Sequence, residues 1–293
     1  MNRSMTSLPQ AARIVSIADE NHTIRTFVFD QRLEAEPGQF VMAWLPGIDE
    51  KPFSLVRADP VTLTICQVGP FTDEIFALKP GDRLWLRGPL GSPFTLDDRS
   101  PAPGLRAPIL LIAGGYGVAP LYFLAERARA ADREVTAIIG AKKASSIVFA
   151  RRTAALGARV FITTDDGSLG EQGLASEVAG RLLAQNGHQA IYACGPESML
   201  EAVEALSRAH RMPAQLSYER YMRCGFGVCG SCSRDGWLVC SDGPVRAICT
   251  RSQLSCVTTK RQDAKDVELC PDIAYIEKGR HAAAQTPTAH SRS

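Results

Sequence analysis

Residues 222–232 read MRCGFGVCGSC and place three cysteines, Cys224, Cys229 and Cys232, at C-x4-C-x2-C. That is the spacing of a plant-type [2Fe–2S] run, in which four thiolates hold a compact pair of irons that pass one electron at a time. Gly225, Gly227 and Gly230 between them let the backbone fold tightly and aim N–H groups at sulfur. The fourth thiolate is open on spacing alone. Cys240 follows Cys232 after seven residues, just ahead of Asp242-Gly243-Pro244, and Cys249 follows after sixteen. The competing reading is structural zinc, although zinc ribbons more often carry two C-x2-C pairs and this stretch has one.

Other residues suit nucleotides. Lys51-Pro52-Phe53-Ser54 offers a cation for a pyrophosphate, an aromatic for a ring system and a hydroxyl for a hydrogen bond, as a flavin would require. Gly88-Pro89-Leu90-Gly91 is a glycine turn whose free N–H groups suit a phosphate. Gly114-Gly115-Tyr116-Gly117 follows an apolar run and precedes a helical pattern, where glycines allow close approach of a cofactor. It is not the G-x-G-x-x-G fingerprint. Thr164-Asp165-Asp166 offers carboxylates to a ribose diol, which favours NAD over NADP; Cys194-Gly195-Pro196 turns sharply where a nicotinamide would sit. Each has a plainer reading as a turn serving only its own backbone. The five histidines fall in no acid–base constellation, which suits hydride transfer, since that needs stacking and distance rather than a general base.

The elements that must position these residues change character along the chain. Residues 11–100 read as short strands, at Ala11–Ala18, Thr23–Phe29, Phe40–Leu45, Phe53–Ala58, Thr62–Val68 and Asp82–Arg87, with Pro and Gly turns between them. Six such strands predict a small closed antiparallel barrel of Greek-key type. After a linker at Ser100–Gly104, apolar strands at Ile109–Ala113, Glu134–Gly140, Ala158–Thr163, Gln189–Ala193 and Ala214–Tyr218 alternate with helical stretches. One starts near Leu121; the others are Ala144–Leu156, Gly173–Gln185 and Pro196–His210. That alternation predicts a doubly wound parallel sheet. The expected division is a flavin barrel at 1–102, an NAD-binding α/β domain at 103–217, a small cluster domain at 218–260 and a polar tail at 261–293.

The composition permits this and excludes other classes. With 293 residues, 45% apolar and 22% charged, the chain can bury a sizeable core. A net charge of +2 gives no reason to expect nucleic acid or an anionic membrane. No apolar run is long enough to span a bilayer, and the first ten residues lack the apolar core of a signal peptide. Nine cysteines, five of them crowded between 224 and 249, fit metal-ligating thiols in a reducing cytoplasm better than a disulfide scaffold. Cys66 and Cys256 read as isolated small hydrophobes. Cys249 and Cys270 have no assigned role.

Together these motifs resemble the iron–sulfur electron-transfer subunits of NAD-linked dihydroorotate dehydrogenases, in the ferredoxin reductase-like superfamily. The resemblance covers about residues 10–246. Its most specific part is Ser217, Glu219, Met222, Cys224, Gly225, Gly227, Cys229 and Cys232, then Cys240 with Asp242-Gly243-Pro244-Val245. It implies that Cys240 is the fourth ligand, that Lys51–Ser54 stands for the family's Arg-Pro-x-Ser flavin motif, and that Gly88–Gly91 holds FAD. It also implies that the loops at 114–120, 163–168 and 194–196 hold NAD. The implied partner is an FMN-containing catalytic subunit oxidising dihydroorotate to orotate, two of each chain forming a heterotetramer. Sulfhydrogenases and NADH-dependent ferredoxin:NADP transhydrogenases use similar subunits; a non-enzymatic zinc-stabilised binding module is the expectation of another class. Three departures stand out. Lys51 replaces a bidentate Arg, which predicts a weaker hold on FAD. Tyr116 stands where glycine is common, and the interval from Cys232 to Cys240 is short.

Overall fold

The computed structural model describes residues 8–96, 108–185 and 187–248. The expected linker at Ser100–Gly104, the tail at 261–293, and Cys249, Cys256 and Cys270 lie outside the described residues.

The first strands, β1 (Gln10–Asn21), β2 (Ile24–Phe29), β3 (Phe40–Leu45), β4 (Asp49–Ala58) and β5 (Val61–Cys66), lead into helix α1 (Pro70–Ala77) and then β6 (Arg83–Leu90). The six strands close into an antiparallel barrel in the order β1-β2-β5-β4-β3-β6, a Greek key in which β3, β4 and β5 follow by hairpins and β6 returns beside β3. Alternate residues fill it, among them Phe27, Phe29, Val41, Leu55, Leu63, Ile65 and Leu84, each fully buried. Two expectations shift here. Thr62–Val68 reads as a half-buried strand, yet Thr62 and Thr64 are buried too, and the Thr26 and Thr64 hydroxyls bond at 2.9 Å. The strand ends at Cys66 because α1 starts soon after. Pro70 occupies its first position, where a missing N–H costs nothing, and Thr72 Oγ1 accepts from the N–H groups of Val68 and Gly69 at 2.8 and 3.0 Å.

The second half runs β7 (Ile109–Gly114), α2 (Val118–Ala130), β8 (Val135–Ala141), α3 (Ala150–Ala155), β9 (Arg159–Thr164), β10 (Glu171–Gln172), α4 (Ala175–Ala184), β11 (Ala190–Cys194), α5 (Glu197–His210) and β12 (Ala214–Ser217). Alternation in β7 divides the two faces. Leu110 and Ile112 pack with α4 and α5 on one side, and Ile109, Leu111 and Ala113 pack with α2 on the other. The sheet is therefore wound on both faces, as expected. The long helix expected over Ala144–Leu156 is cut to its second half. Phe149 sits at φ +65° as the residue before α3, and it and Val148 are buried, Phe149 edge-on to Tyr122 at 5.2 Å. Burying those side chains overrides the helical pattern.

The chain then leaves the sheet for a small hairpin, β13 (Ser233–Arg234) and β14 (Trp237–Leu238), a short helix α6 (Val239–Asp242), and β15 (Val245–Ile248). β15 returns to pair antiparallel with β12, so the full order is β10-β9-β8-β7-β11-β12-β15. The order reverses between β7 and β11, which run parallel and adjacent with Cys194 opposite Ala113. A crevice beyond the carboxyl ends of strands at such a switch is where doubly wound sheets take ligands.

Candidate redox site: a three-walled cleft leading to a cysteine loop

A cleft of about 790 Å³ opens between barrel and sheet, within the range of cofactor sites. The barrel wall carries Lys51, Pro52, Phe53 and Ser54 on β4, Thr64 and Cys66 on β5, and the start of α1 through Gly69–Thr72. The sheet wall carries Tyr116, Ala119 and Pro120 from the β7–α2 turn. The third wall is the segment Ser217–Met222 with Pro244, and that segment runs directly into Cys224.

Each wall has a physical reason. Pro52 sits in β4 opposite Met42, and Phe53 stacks on Phe71 of α1 with centroids 6.3 Å apart, so the aromatic side of the motif is held by the barrel. The Lys51 ammonium is already paired with Asp49 and lies 5.1 Å from the centroid of the Tyr221 ring. Its charge is thus shared before any ligand arrives. At the switch point the glycines allow two turns to touch. A Cβ on Gly117 would lie 2.4 Å from the Cys194 carbonyl oxygen, and one on Gly114 2.5 Å from Pro196. The Gly114–Gly117 and Cys194–Pro196 turns are therefore pressed together.

Titratable groups gather at this end. Burial raises the Glu219 carboxyl above its ordinary value, and the Tyr116 hydroxyl, 3.4 Å away, donates to it. The negative field of Glu219, with burial, pushes the Tyr116 phenol up to about 12. Cys194 is fully buried and its thiol is pushed well up by that burial and then by Glu219.

In the cysteine loop the four thiols do not converge on one point: among the described residues no three of His, Cys, Asp or Glu are grouped to hold a single ion. Cys229 interacts with Cys224, and Cys240 with both Cys232 and Cys224. Backbone N–H groups point at them. Gly227 donates to Cys240 Sγ at 3.2 Å, Val228 and Cys229 to Cys224 Sγ at 3.4 and 3.5 Å, and Cys240 to Cys232 Sγ at 3.4 Å. Gly225, at φ +74°, seats the loop on the barrel, where a Cβ would lie 2.8 Å from Met42. Burial raises the Cys240 thiol to about 12. A buried thiol of that kind loses its proton to solvent only when a cation such as a metal centre displaces it and stabilises the thiolate. Four thiols that do not converge on one point and are laced by backbone amides fit an iron–sulfur centre.

Residues 219–248 match the family described as the iron–sulfur cluster binding domain of dihydroorotate dehydrogenase B, and residues 111–205 match the oxidoreductase NAD-binding domain. A dihydroorotate dehydrogenase B (NAD+) electron transfer subunit of Thermococcus kodakarensis is 42% identical over 238 residues, covering 80% of this chain and 95% of its own. Its counterpart in Methanothermobacter thermautotrophicus is 42% identical over 248 residues, covering 82% and 89%. This chain belongs to that family of electron transfer subunits. Among solved structures, the NADH-dependent reduced ferredoxin-NADP oxidoreductase superposes with a TM-score of 0.71 over 83% of this chain and 89% of that one. At 24% identity, that likeness speaks for the ferredoxin reductase-like fold alone.

Against the family's motifs, the structure divides the expected site residues. Lys51–Ser54 and Tyr116 face the cleft, and Gly114, Gly115, Gly117 and Cys194–Pro196 form the paired turns at its edge. Gly88, Pro89, Leu90 and Gly91 are not cleft residues. They end β6 and pack against Val41, Phe40, Gly243 and Pro244, with Leu90 near Gly225, so the turn supports the cysteine loop from below. Thr164, Asp165 and Asp166 end β9, outside the cleft lining. Thr164 Oγ1 is occupied with Leu169, and Asp166 accepts from the Ser168 hydroxyl and amide, which hold its carboxyl below the usual range. Asp166 is committed to its own turn; Asp165 is exposed. The sequence carries no sign of Thr64 or Gly69–Thr72 at the cleft, marks Cys66 only as a small hydrophobe, and marks Glu219 only as part of the cysteine motif. Pro70 was a readable helix start, whereas the burial of Glu219 needs all three walls.

Proposed function

We propose that the chain carries electrons between an FMN-containing catalytic subunit, which oxidises dihydroorotate to orotate, and NAD+, in an assembly of two copies of each subunit. The observation that carries this is the shared wall. Ser217–Met222 lines the cleft and continues without a break into the loop that holds Cys224. When bound, the [2Fe–2S] cluster supplies one-electron transfer, FAD the exchange between single electrons and a hydride, and NAD the final two-electron acceptor.

The residues of the chain do the positioning. Cys224, Cys229, Cys232 and Cys240 hold the cluster. Lys51–Ser54, with Phe71 and Thr72, hold FAD, and Phe53, fixed by its stack on Phe71, gives the cleft a flat apolar side. The paired turns at 114–117 and 194–196 take the nicotinamide end of NAD, and Asp165 is the free carboxylate for its ribose. Glu219 and Tyr116 hold a proton between them at the cleft. The free, unbridged thiols of the described residues fit a reducing cytoplasm, and no helix among the described residues is long and apolar enough to cross a membrane.

Anaerobic purification followed by iron, sulfide and flavin analysis tests the cofactors. Two irons, two sulfides and one FAD per chain are expected; near-zero iron with one zinc overturns the reading. Co-expression with an FMN catalytic subunit tests the partner. Co-purification with NAD-dependent orotate formation is expected, and selective capture of a hydrogenase subunit instead replaces it.

A further inference from the structure

A buried arginine beneath the cysteine loop is left without a role by the motifs. Arg87 lies on β6 opposite Met42 of β3, on the strand pair that carries the loop. Its side chain is 9% exposed. Its Nε and Nη2 donate to the two carboxylate oxygens of Glu50 at 3.1 and 3.0 Å, and Nη2 also donates to the Cys224 carbonyl oxygen at 2.9 Å. Phe226, two residues along the loop, lies with its ring centroid 5.4 Å from the guanidinium carbon. Nη1 is buried and has no hydrogen-bond partner among the described residues.

Two consequences follow from the chemistry. The fork fixes the backbone of the first cysteine, because a guanidinium gripped by one carboxylate cannot follow the loop if it moves. The charge matters as well. An iron–sulfur centre gains negative charge on reduction, so a fixed cation nearby stabilises the reduced form and raises the potential. Arg223 is closer in sequence but fully exposed, and water and salt screen exposed charges strongly. Arg87 is buried, where a charge is screened far less. Glu50 partly offsets it and is more exposed, at 24%.

We propose that Arg87 is a positioning residue for the cluster: it clamps the Cys224 carbonyl from the barrel side, and its buried charge, tempered by Glu50, raises the cluster's reduction potential. This rests on the assignment of a [2Fe–2S] cluster to the loop.

The test is a redox titration of the full-length holoprotein, followed by EPR, for wild type, Arg87→Met, Arg87→Lys and Glu50→Gln, with iron and sulfide counted in each. Expected is a downward shift in potential for Arg87→Met and an upward shift for Glu50→Gln, at equal iron content. Arg87→Lys should restore most of the potential while leaving the cluster more easily lost to a chelator, since a point charge cannot keep the fork. A purely structural contact would move both charge variants the same way. Shifts in one direction, or none in a loaded cluster, overturn the proposal. If Arg87→Met loses its iron, Glu50→Gln alone decides: an upward shift supports the proposal and its absence overturns it. Iron-free wild type sinks the cluster assignment itself and this proposal with it; a loaded cluster that ignores both charges sinks only the latter.

Discussion

Thiols in the cleft and thiols in the loop meet opposite environments. Burial raises Cys66, half-buried on the barrel wall, and raises Cys194 strongly, with the Glu219 field adding to it. In the loop, burial works against the Cys224 thiolate, but the amides of Phe226, Cys229 and Val228 outweigh it and the thiol goes down. Cys229, exposed and served first by the Ser231 hydroxyl and then its amide, falls to about 6. The same side chain is thus kept as a neutral hydrophobe where a nicotinamide would lie and prepared as a ligand where iron would bind. What separates the two is the supply of N–H and O–H donors to sulfur, together with the greater exposure of the loop. Cys240 belongs to the loop by position but to the cleft by burial, and it depends most on the metal to lose its proton.

That dependence gives the largest expected effect. Cys240→Ser removes one of four ligands, and iron content and visible cluster absorption should fall to background while flavin stays bound. Cys249→Ser should leave both intact; the reverse outcome reassigns the fourth ligand. Gly117→Ala strikes the other region. Its Cβ would meet the Cys194 carbonyl oxygen at 2.4 Å, an overpacking that costs about 1–3 kcal/mol. It should lower the melting temperature and weaken NADH binding while iron and flavin contents hold; an unchanged NADH affinity would show that the two turns need not touch.

A smaller effect lies in pH. The folded Glu219 carboxyl has its pKa raised above the unfolded value near 4.5, so the folded state binds its proton more tightly. That contribution is fully present below the unfolded value and is lost as pH rises through the raised folded value. Melting temperature should therefore decline over that interval in wild type, and Glu219→Gln should flatten the decline. The smallest change is Tyr116→Phe. It removes a 3.4 Å hydrogen bond worth at most about 1 kcal/mol, and it should move the Glu219 titration further upward without altering iron content. NMR titration of a carboxyl-labelled sample reads this directly; an unmoved or lowered Glu219 would break the assigned contact.

How far the sequence could be read follows from how local each feature is. The loop was legible because its ligands, glycines and Asp-Gly-Pro turn all lie within residues 222–244, and the barrel and sheet because their periodicities are strong. Gly88–Gly91 reads as a glycine turn and no more, because such a turn looks alike whether it faces a phosphate or, as here, packs on Pro244. Asp165 and Asp166 were indistinguishable as letters; only the hydrogen bonds from Ser168 separate them. The cleft was legible in pieces alone. Its walls come from residues 49–72, 116–120 and 217–222, and no window contains the burial that perturbs Glu219. The return of β15 to the parallel sheet was invisible for the same reason, since its value lies in a partner far upstream.

That returning strand also governs how the iron centre is assembled. Ser217 pairs with Val245 and Tyr218 N–H donates to the Pro244 carbonyl at 2.9 Å, so the excursion from 218 to 244 begins and ends on neighbouring rungs of one ladder. The entropy of bringing such distant ends together is met by the sheet. Loading the metal then has only to order the interior of a ring that is already shut. Stripping iron and sulfide should therefore leave this ladder closed, with the far-ultraviolet circular dichroism of the protein little changed.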